Sequence, residues 1–184
     1  MDYLLKNCRT GTEGIYKTKL NIREDENNYI FTFVAENSLC YCPYSKYNAI
    51  HSEGDACEIL IGTDIERKVY YEIEINPKGQ LMVAKMTYRC IDGKPSLDME
   101  FVDEKDCFVV GETKQTKNGY IAKLFIDKKR ICTGLGETFF NAYRLETDGG
   151  ECLKHLFALN PTRYVFHMPE FYLSLKDYVT PQGE

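Results

Sequence analysis

The chain has 184 residues, 43% of them hydrophobic and 28% charged, enough for one domain with a sizeable core over 1–184. Its net charge of -5 and isoelectric point near 5.4 argue against a nucleic-acid partner, which selects for a basic face. There is no run of about 18 apolar residues of the kind that crosses a membrane as a helix, so no membrane partner is expected.

The first residues, MDYLLKNCRTGTEG, lack the basic start and apolar centre of an export signal, which leads to the expectation of a cytoplasmic location. Gly11 and Gly14 interrupt any regular pattern, so residues 1–14 read as loosely structured. Residues 15–23 alternate apolar and polar and predict a strand, and residues 24–28, EDENN, predict a polar turn. Residues 29–36, YIFTFVAE, are apolar on both faces and predict a central strand. Residues 37–53 form the longest irregular stretch and carry Tyr41, Pro43, Tyr44, Tyr47, Asn48 and His51. Loops longer than about 12 residues are often functional, so this one is a candidate wall for a binding site. The plainer reading is that its rings cover the end of the fold.

Residues 56–61 and 69–76 predict the two strands on which the functional argument rests. Side chains two apart on a strand share a face. Tyr71, Ile73 and Ile75 therefore make one apolar face, and Tyr70, Glu72, Glu74 and Asn76 the polar one. In the first run Cys57, Ile59 and Ile61 point inward, leaving Glu58 outward. If the two runs pair, Glu58, Glu72 and Glu74 share one sheet face. Residues 77–79, Pro-Lys-Gly, close the second run. Further strands are predicted at 80–89, 97–102, 107–113, 120–127, 138–147, 153–159 and 171–175. Turn signals separate them: Asp92-Gly93-Lys94-Pro95, Asn118-Gly119, Asp148-Gly149-Gly150 and Asn160-Pro161. About ten short strands and no amphipathic helix predict an all-β fold, an antiparallel β-sandwich of jelly-roll or immunoglobulin-like type.

The eight cysteines read as reduced thiols, with Cys57, Cys107 and Cys132 inside apolar strands. There is no CxxC pair, and three scattered histidines do not complete a zinc site. No cofactor is expected. Calcium is conceivable at the acidic turn Glu24-Asp25-Glu26, whose spacing matches no calcium loop, so solvated charge is the preferred reading there.

Three pieces occur in a telling order. Gly54-Asp55-Ala56-Cys57-Glu58-Ile59 leads to Tyr70-Tyr71-Glu72-Ile73-Glu74-Ile75-Asn76-Pro77. Phe140-Asn141-Ala142-Tyr143-Arg144 follows. Ala158-Leu159-Asn160-Pro161-Thr162 then precedes Phe166-His167-Met168-Pro169-Glu170-Phe171. Over residues 30–175 this order resembles the family 9 carbohydrate-binding modules and their stand-alone relatives. The resemblance implies a β-sandwich that binds sugar without catalysis, associated with the breakdown of polysaccharides such as xylan or of oligosaccharides. The family clamps sugar between two tryptophans and this chain has none, so Tyr47 and then Tyr44 are the expected replacements. Many relatives also carry an aromatic residue before Asn-Pro, where this chain has Leu159.

A sugar site needs placed polar groups and a ring. Carboxylates accept from paired hydroxyls and arginine adds a fork of donors. Glu58, Glu72, Glu74, Asn141 and Arg144 supply that set, with Glu58 and Arg144 inside matching pieces of the resemblance. The competing readings are solvated charges on a sheet face, or Arg144 paired with a neighbouring glutamate. Asp55 reads as a turn cap, and His167 with Pro169 as structure of the closing turn. Two other functions stay open. One is an interaction domain that has lost sugar binding. The other is a glycoside hydrolase using Glu58 with Glu72 or Glu74.

Overall fold

The structure is a computed structural model that describes residues 1–37, 39–49, 54–92, 94–163 and 165–179. His51 and Gly93, named above for the long loop and for a turn, lie outside the described residues.

Thirteen strands make two antiparallel sheets among the described residues. They are β1 (Asp2–Leu4), β2 (Lys6–Asn7), β3 (Thr18–Glu24), β4 (Asn28–Glu36), β5 (Ala56–Gly62), β6 (Val69–Ile75) and β7 (Leu81–Ile91). There follow β8 (Lys94–Phe101), β9 (Val109–Thr116), β10 (Gly119–Asp127), β11 (Phe139–Glu146), β12 (His155–Ala158) and β13 (Leu173–Ser174). The five-stranded sheet has the order β1-β3-β4-β10-β9. The eight-stranded sheet runs β2-β12-β11-β5-β6-β7-β8, with β13 also paired to β11. The only helical pieces described are three-residue turns, and no described helix is long and apolar enough to cross a membrane.

The alternation in the sequence accounts for the packing. Leu20, Ile22, Phe31, Phe33, Leu124 and Ile126 of the smaller sheet meet Ile59, Ile61, Ile73, Ile75, Val83 and Phe140 of the larger one in a shared core. Each such side chain, fully buried, contributes about 1.5–3 kcal/mol. The predicted Asn118-Gly119 turn joins β9 to β10. Gly119 has φ +152° there, and a Cβ would stand 2.0 Å from the Ala35 carbonyl oxygen, so only glycine fits.

The outer face of the larger sheet is also buried in part. Leu60, Tyr70, Met82, Ala84, Met86, Phe139 and Tyr143 form a second cluster with Tyr172, which the C-terminal segment lays across them. This explains why β7 is apolar on both faces along Met82-Val83-Ala84.

Two expectations are corrected, one on the first residues and one on the cysteines. Residues 1–14 are not loose: β1 pairs with β3, and β2 with β12. Cys132 is exposed in a loop, and Cys107 is half-buried just before β9, so of the three cysteines assigned to strands only Cys57 lies in one. The acidic turn is closed by its own backbone. Asp25 Oδ1 accepts from the N–H groups of Asn27 and Asn28 at 2.8 and 2.7 Å, which hold its carboxyl below the usual carboxylate range.

Candidate functional site

Strand register brings the three glutamates together. In the β5–β6 pair Glu58 lies opposite Glu74, and Leu60 opposite Glu72. One carboxylate oxygen from each of Glu58, Glu72 and Glu74 lies within 4.8 Å of the others. All three are buried, with 1, 6 and 4% of their surfaces exposed. Glu58 Oε1 and Glu72 Oε2 are inaccessible and have no hydrogen-bond partner. Burial first, and then the charges of Glu72 and Glu74, push the Glu58 carboxyl well above its ordinary range. Burial and then Glu74 push Glu72 up to about 8.

These carboxyls form the base of an open cavity of about 350 Å³. Its walls are apolar: Met99 from β8, Leu145 from β11, Leu156 from β12, Leu153 before it, and Val165 and Phe166 from the segment after β12. His167 completes the rim. A cavity of similar scale beside Tyr71 is instead lined by exposed Lys85, Glu100, Asp103 and Asp106.

Phe166 is held in place by a chain of contacts that begins on β11. Its ring stacks on Tyr143 with centroids 4.0 Å apart. Tyr143 Oη donates to the Phe166 carbonyl at 2.9 Å and accepts from Asn141 Nδ2 at 2.8 Å. Asn141 Nδ2 also donates to the Asn160 carbonyl at 2.9 Å, and its Oδ1 accepts from the Asn160 N–H at 3.1 Å. Asn160 Nδ2 in turn donates to the Phe171 carbonyl at 2.8 Å. The buried Asn141 therefore anchors both ends of the segment that carries Phe166 and His167. His167 Nδ1 lies 2.9 Å from Tyr70 Oη. Burial lowers the His167 pKa to about 4, so the ring is neutral at pH 7. Its 3.9 Å approach to Glu72 is then not an ion pair at that pH.

The other expected site residues lie elsewhere. Arg144 points to the opposite face, between the sheets, and is 0% exposed. It donates to Thr18 Oγ1 at 3.0 Å and to the Glu36 carbonyl at 2.7 Å, and pairs directly with Glu146. Glu146 Oε1 also accepts from Asn37 Nδ2 and the Asp148 N–H, each at 2.8 Å. Arg144 is thus placed away from the cavity, because its position in β11 is odd with respect to Tyr143, the register partner of Glu58. Tyr47 packs against the core between the sheets and donates to the Val102 carbonyl at 3.1 Å. The Tyr44 ring covers Gly54, and its carbonyl accepts from Asn76 at 3.3 Å. Neither tyrosine lines the cavity with the glutamates. Asp55 joins segments distant in sequence, accepting from the Thr147 hydroxyl at 2.8 Å and the Tyr41 N–H at 2.5 Å.

Sequence reasoning missed the aromatic wall. Phe166 stood in the tail motif directly before His167 and was the available signal. Met99, Leu145, Leu153, Leu156 and Val165 come from four separate stretches and carried none.

No family model and no curated protein matches the sequence. Solved structures do match in three dimensions. A candidate carbohydrate-binding protein from Bacteroides uniformis ATCC 8492 aligns with TM-score 0.72 and 13% identity, over 94% of this chain and 84% of that one. A family 9 carbohydrate-binding module from Caldicellulosiruptor kristjanssonii, in complex with glucose, aligns with TM-score 0.64 and 12% identity, over 99% and 85% of the two chains. Its fold is that of the family 9 carbohydrate-binding modules. A family 9 module from the same organism in complex with cellotriose gives TM-score 0.67 and 12% identity, over 100% and 83%. The family 9 fold thus extends over both sheets and the closing segment.

Proposed function

We propose that this protein is a carbohydrate-binding domain whose site is the cavity on the outer face of the eight-stranded sheet. The observation that carries the reading is one cavity combining the Phe166 ring and aliphatic walls with the carboxyls of Glu58 and Glu72. A sugar presents C–H faces that pack on a ring, and hydroxyls that satisfy buried polar atoms. The carboxyls of Glu58 and Glu72 at the base of the cavity suit such hydroxyls. The likeness in fold to modules solved with glucose and cellotriose supports a carbohydrate ligand. Phe166 takes the place in this reading expected of Tyr47 and Tyr44, Asn141 positions the segment that carries it, and Arg144 belongs to the interior between the sheets.

A binding role without catalysis fits the geometry better than glycoside hydrolysis. Hydrolysis needs two carboxyls on either side of a scissile bond, about 5 Å apart or more. Here an oxygen of each of the three lies within 4.8 Å of the others on one sheet face, and all three are almost wholly buried, a cluster rather than a pair flanking a bond. A role in polysaccharide or oligosaccharide breakdown, with xylan among the candidates, a cytoplasmic location and a single domain over 1–184 are parts of the same proposal.

The test is a thermal-shift and calorimetric screen against mono- and oligosaccharides. A ligand of the folded state raises the melting temperature in proportion to RT ln(1 + [L]/Kd). One sugar class is expected to give a saturable shift that Glu58→Gln and Phe166→Ala weaken and Tyr44→Ala leaves unchanged. Binding unaffected by both cavity variants would move the site elsewhere. No shift with any glycan would favour an interaction domain without sugar binding.

A further inference from the structure

We infer that Glu58, Glu72 and Glu74 form a divalent-cation site, and that calcium is the ion it fits best. The inference concerns side chains of the proposed sugar site but does not rest on a sugar being bound there.

The geometry comes first. The β5–β6 register places the three carboxyls on adjacent positions of one rigid sheet, with an oxygen of each inside 4.8 Å. Two oxygens on opposite sides of a calcium ion, at about 2.3–2.6 Å from it, are about 4.6–5.2 Å apart. The three therefore fit one calcium shell without moving a strand. Magnesium demands near-ideal octahedral geometry and gives up its waters reluctantly, so three carboxyls fixed by one sheet suit it less well than the more adaptable calcium shell. Three carboxylates with water form an all-oxygen set, which suits hard cations. The open side of the cavity admits the waters that complete the shell.

A second, independent observation is the state of individual oxygens. Glu58 is 1% exposed, and its Oε1 accepts no hydrogen bond; nor does the inaccessible Oε2 of Glu72. Buried carboxylates ordinarily carry partners for their lone pairs. The same protein shows what such partnering looks like on the other face of β11. There Glu146 has Arg144, the Asn37 amide and the Asp148 N–H. In the glutamate cavity no lysine or arginine is among the described lining residues. Like charges this close in a poorly hydrated setting repel strongly, and a divalent cation removes that repulsion.

The experiment uses the full chain, stripped with EDTA and exchanged into chelator-free buffer, and titrated calorimetrically with calcium chloride or magnesium chloride and no glycan. The expected result is one saturable calcium site per chain, with magnesium roughly tenfold weaker or more. Glu58→Gln and Glu72→Gln are each expected to lower calcium affinity roughly tenfold or more. Glu26→Gln, on the distant acidic turn, is expected to leave it unchanged. Circular dichroism is recorded for each variant, and Glu72→Gln carries the test if Glu58→Gln does not fold. The inference is overturned if folded wild-type protein takes up no calcium at about 10 mM, beyond the weakest calcium modules. It is also overturned if uptake survives in every folded cavity variant, or is lost in Glu26→Gln instead. Glycan titrations of the stripped protein are read separately, so sugar binding and cation binding can fail independently.

Discussion

Arg144, expected to hold sugar, lies instead between the sheets, and Phe166, for which no role was expected, lines the cavity. Arginine is a good sugar ligand in principle, yet here its charge is consumed by Glu146 between the sheets, with Tyr120 and Phe157 rings at 5.8 and 6.0 Å. Removing one partner of such a pair leaves a buried charge uncompensated. Arg144→Ala is therefore expected to cost about 3–5 kcal/mol in urea denaturation, a loss of stability rather than of ligand contact. The variant protein that remains folded should bind glycan as wild type does. The opposite pattern is expected for Phe166→Ala. Its glycan affinity should fall about tenfold, while its denaturation midpoint moves little, because the ring is half-buried and lies over the sheet. Calorimetry and denaturation on the same two variants separate the roles.

At the scale of elements, the site depends on the segment after β12. Among its described residues that segment has little regular structure of its own: the three-residue turns Pro169–Phe171 and Leu175–Asp177 and the two-residue β13. Its position comes instead from Asn141, which bonds Asn160 in both directions and supports Tyr143 beneath Phe166. Asn141→Ala leaves the half-buried Asn160 backbone groups without their partner, at about 1–3 kcal/mol. The expected outcome is faster amide exchange over residues 160–171 and weaker glycan binding, with protection of β5 and β6 retained. Exchange measured by mass spectrometry tests this, and uniform loss of protection would instead assign Asn141 to the whole sheet. The strands themselves were largely legible: eleven of the predicted stretches overlap β3 to β13. The missed pair, β1 and β2, is short and gains its partners only through β3 and β12, so local pattern carried no trace of it.

For the whole molecule, three acids buried together couple folding to pH. In chelator-treated protein Glu72 titrates at about 8 when folded, against an ordinary value of 4.5, and Glu58 is raised as well. The folded state thus binds more protons than the unfolded chain between these values, so stability falls as pH rises through about 8. His167 acts in the other direction. Its pKa is lowered from 6.5 to about 4, so stability is lost as pH falls through that range. The expected melting temperature is therefore higher near pH 6.5 than near pH 9, and Glu72→Gln should flatten the decline between them. A melting series in EDTA across that interval checks the sign.

Alternation by itself determined that Glu72 and Glu74 share a face, that Tyr71, Ile73 and Ile75 share the other, and that the fold is a stack of antiparallel strands. It also held a warning, since Asn141 and Arg144 are three apart on one strand and must point to opposite faces. Which of those faces lies inside was not legible, because β11 is buried on both, and residues 139–146 mix polar and apolar side chains on each. Only the tertiary structure decided that Glu58 stands opposite Glu74, that Arg144 closes the interior, and that Phe166 meets the glutamates. Register and long-range packing join residues more than ninety positions apart, such as Tyr70 and His167, and a periodic pattern carries information only about neighbours along the chain.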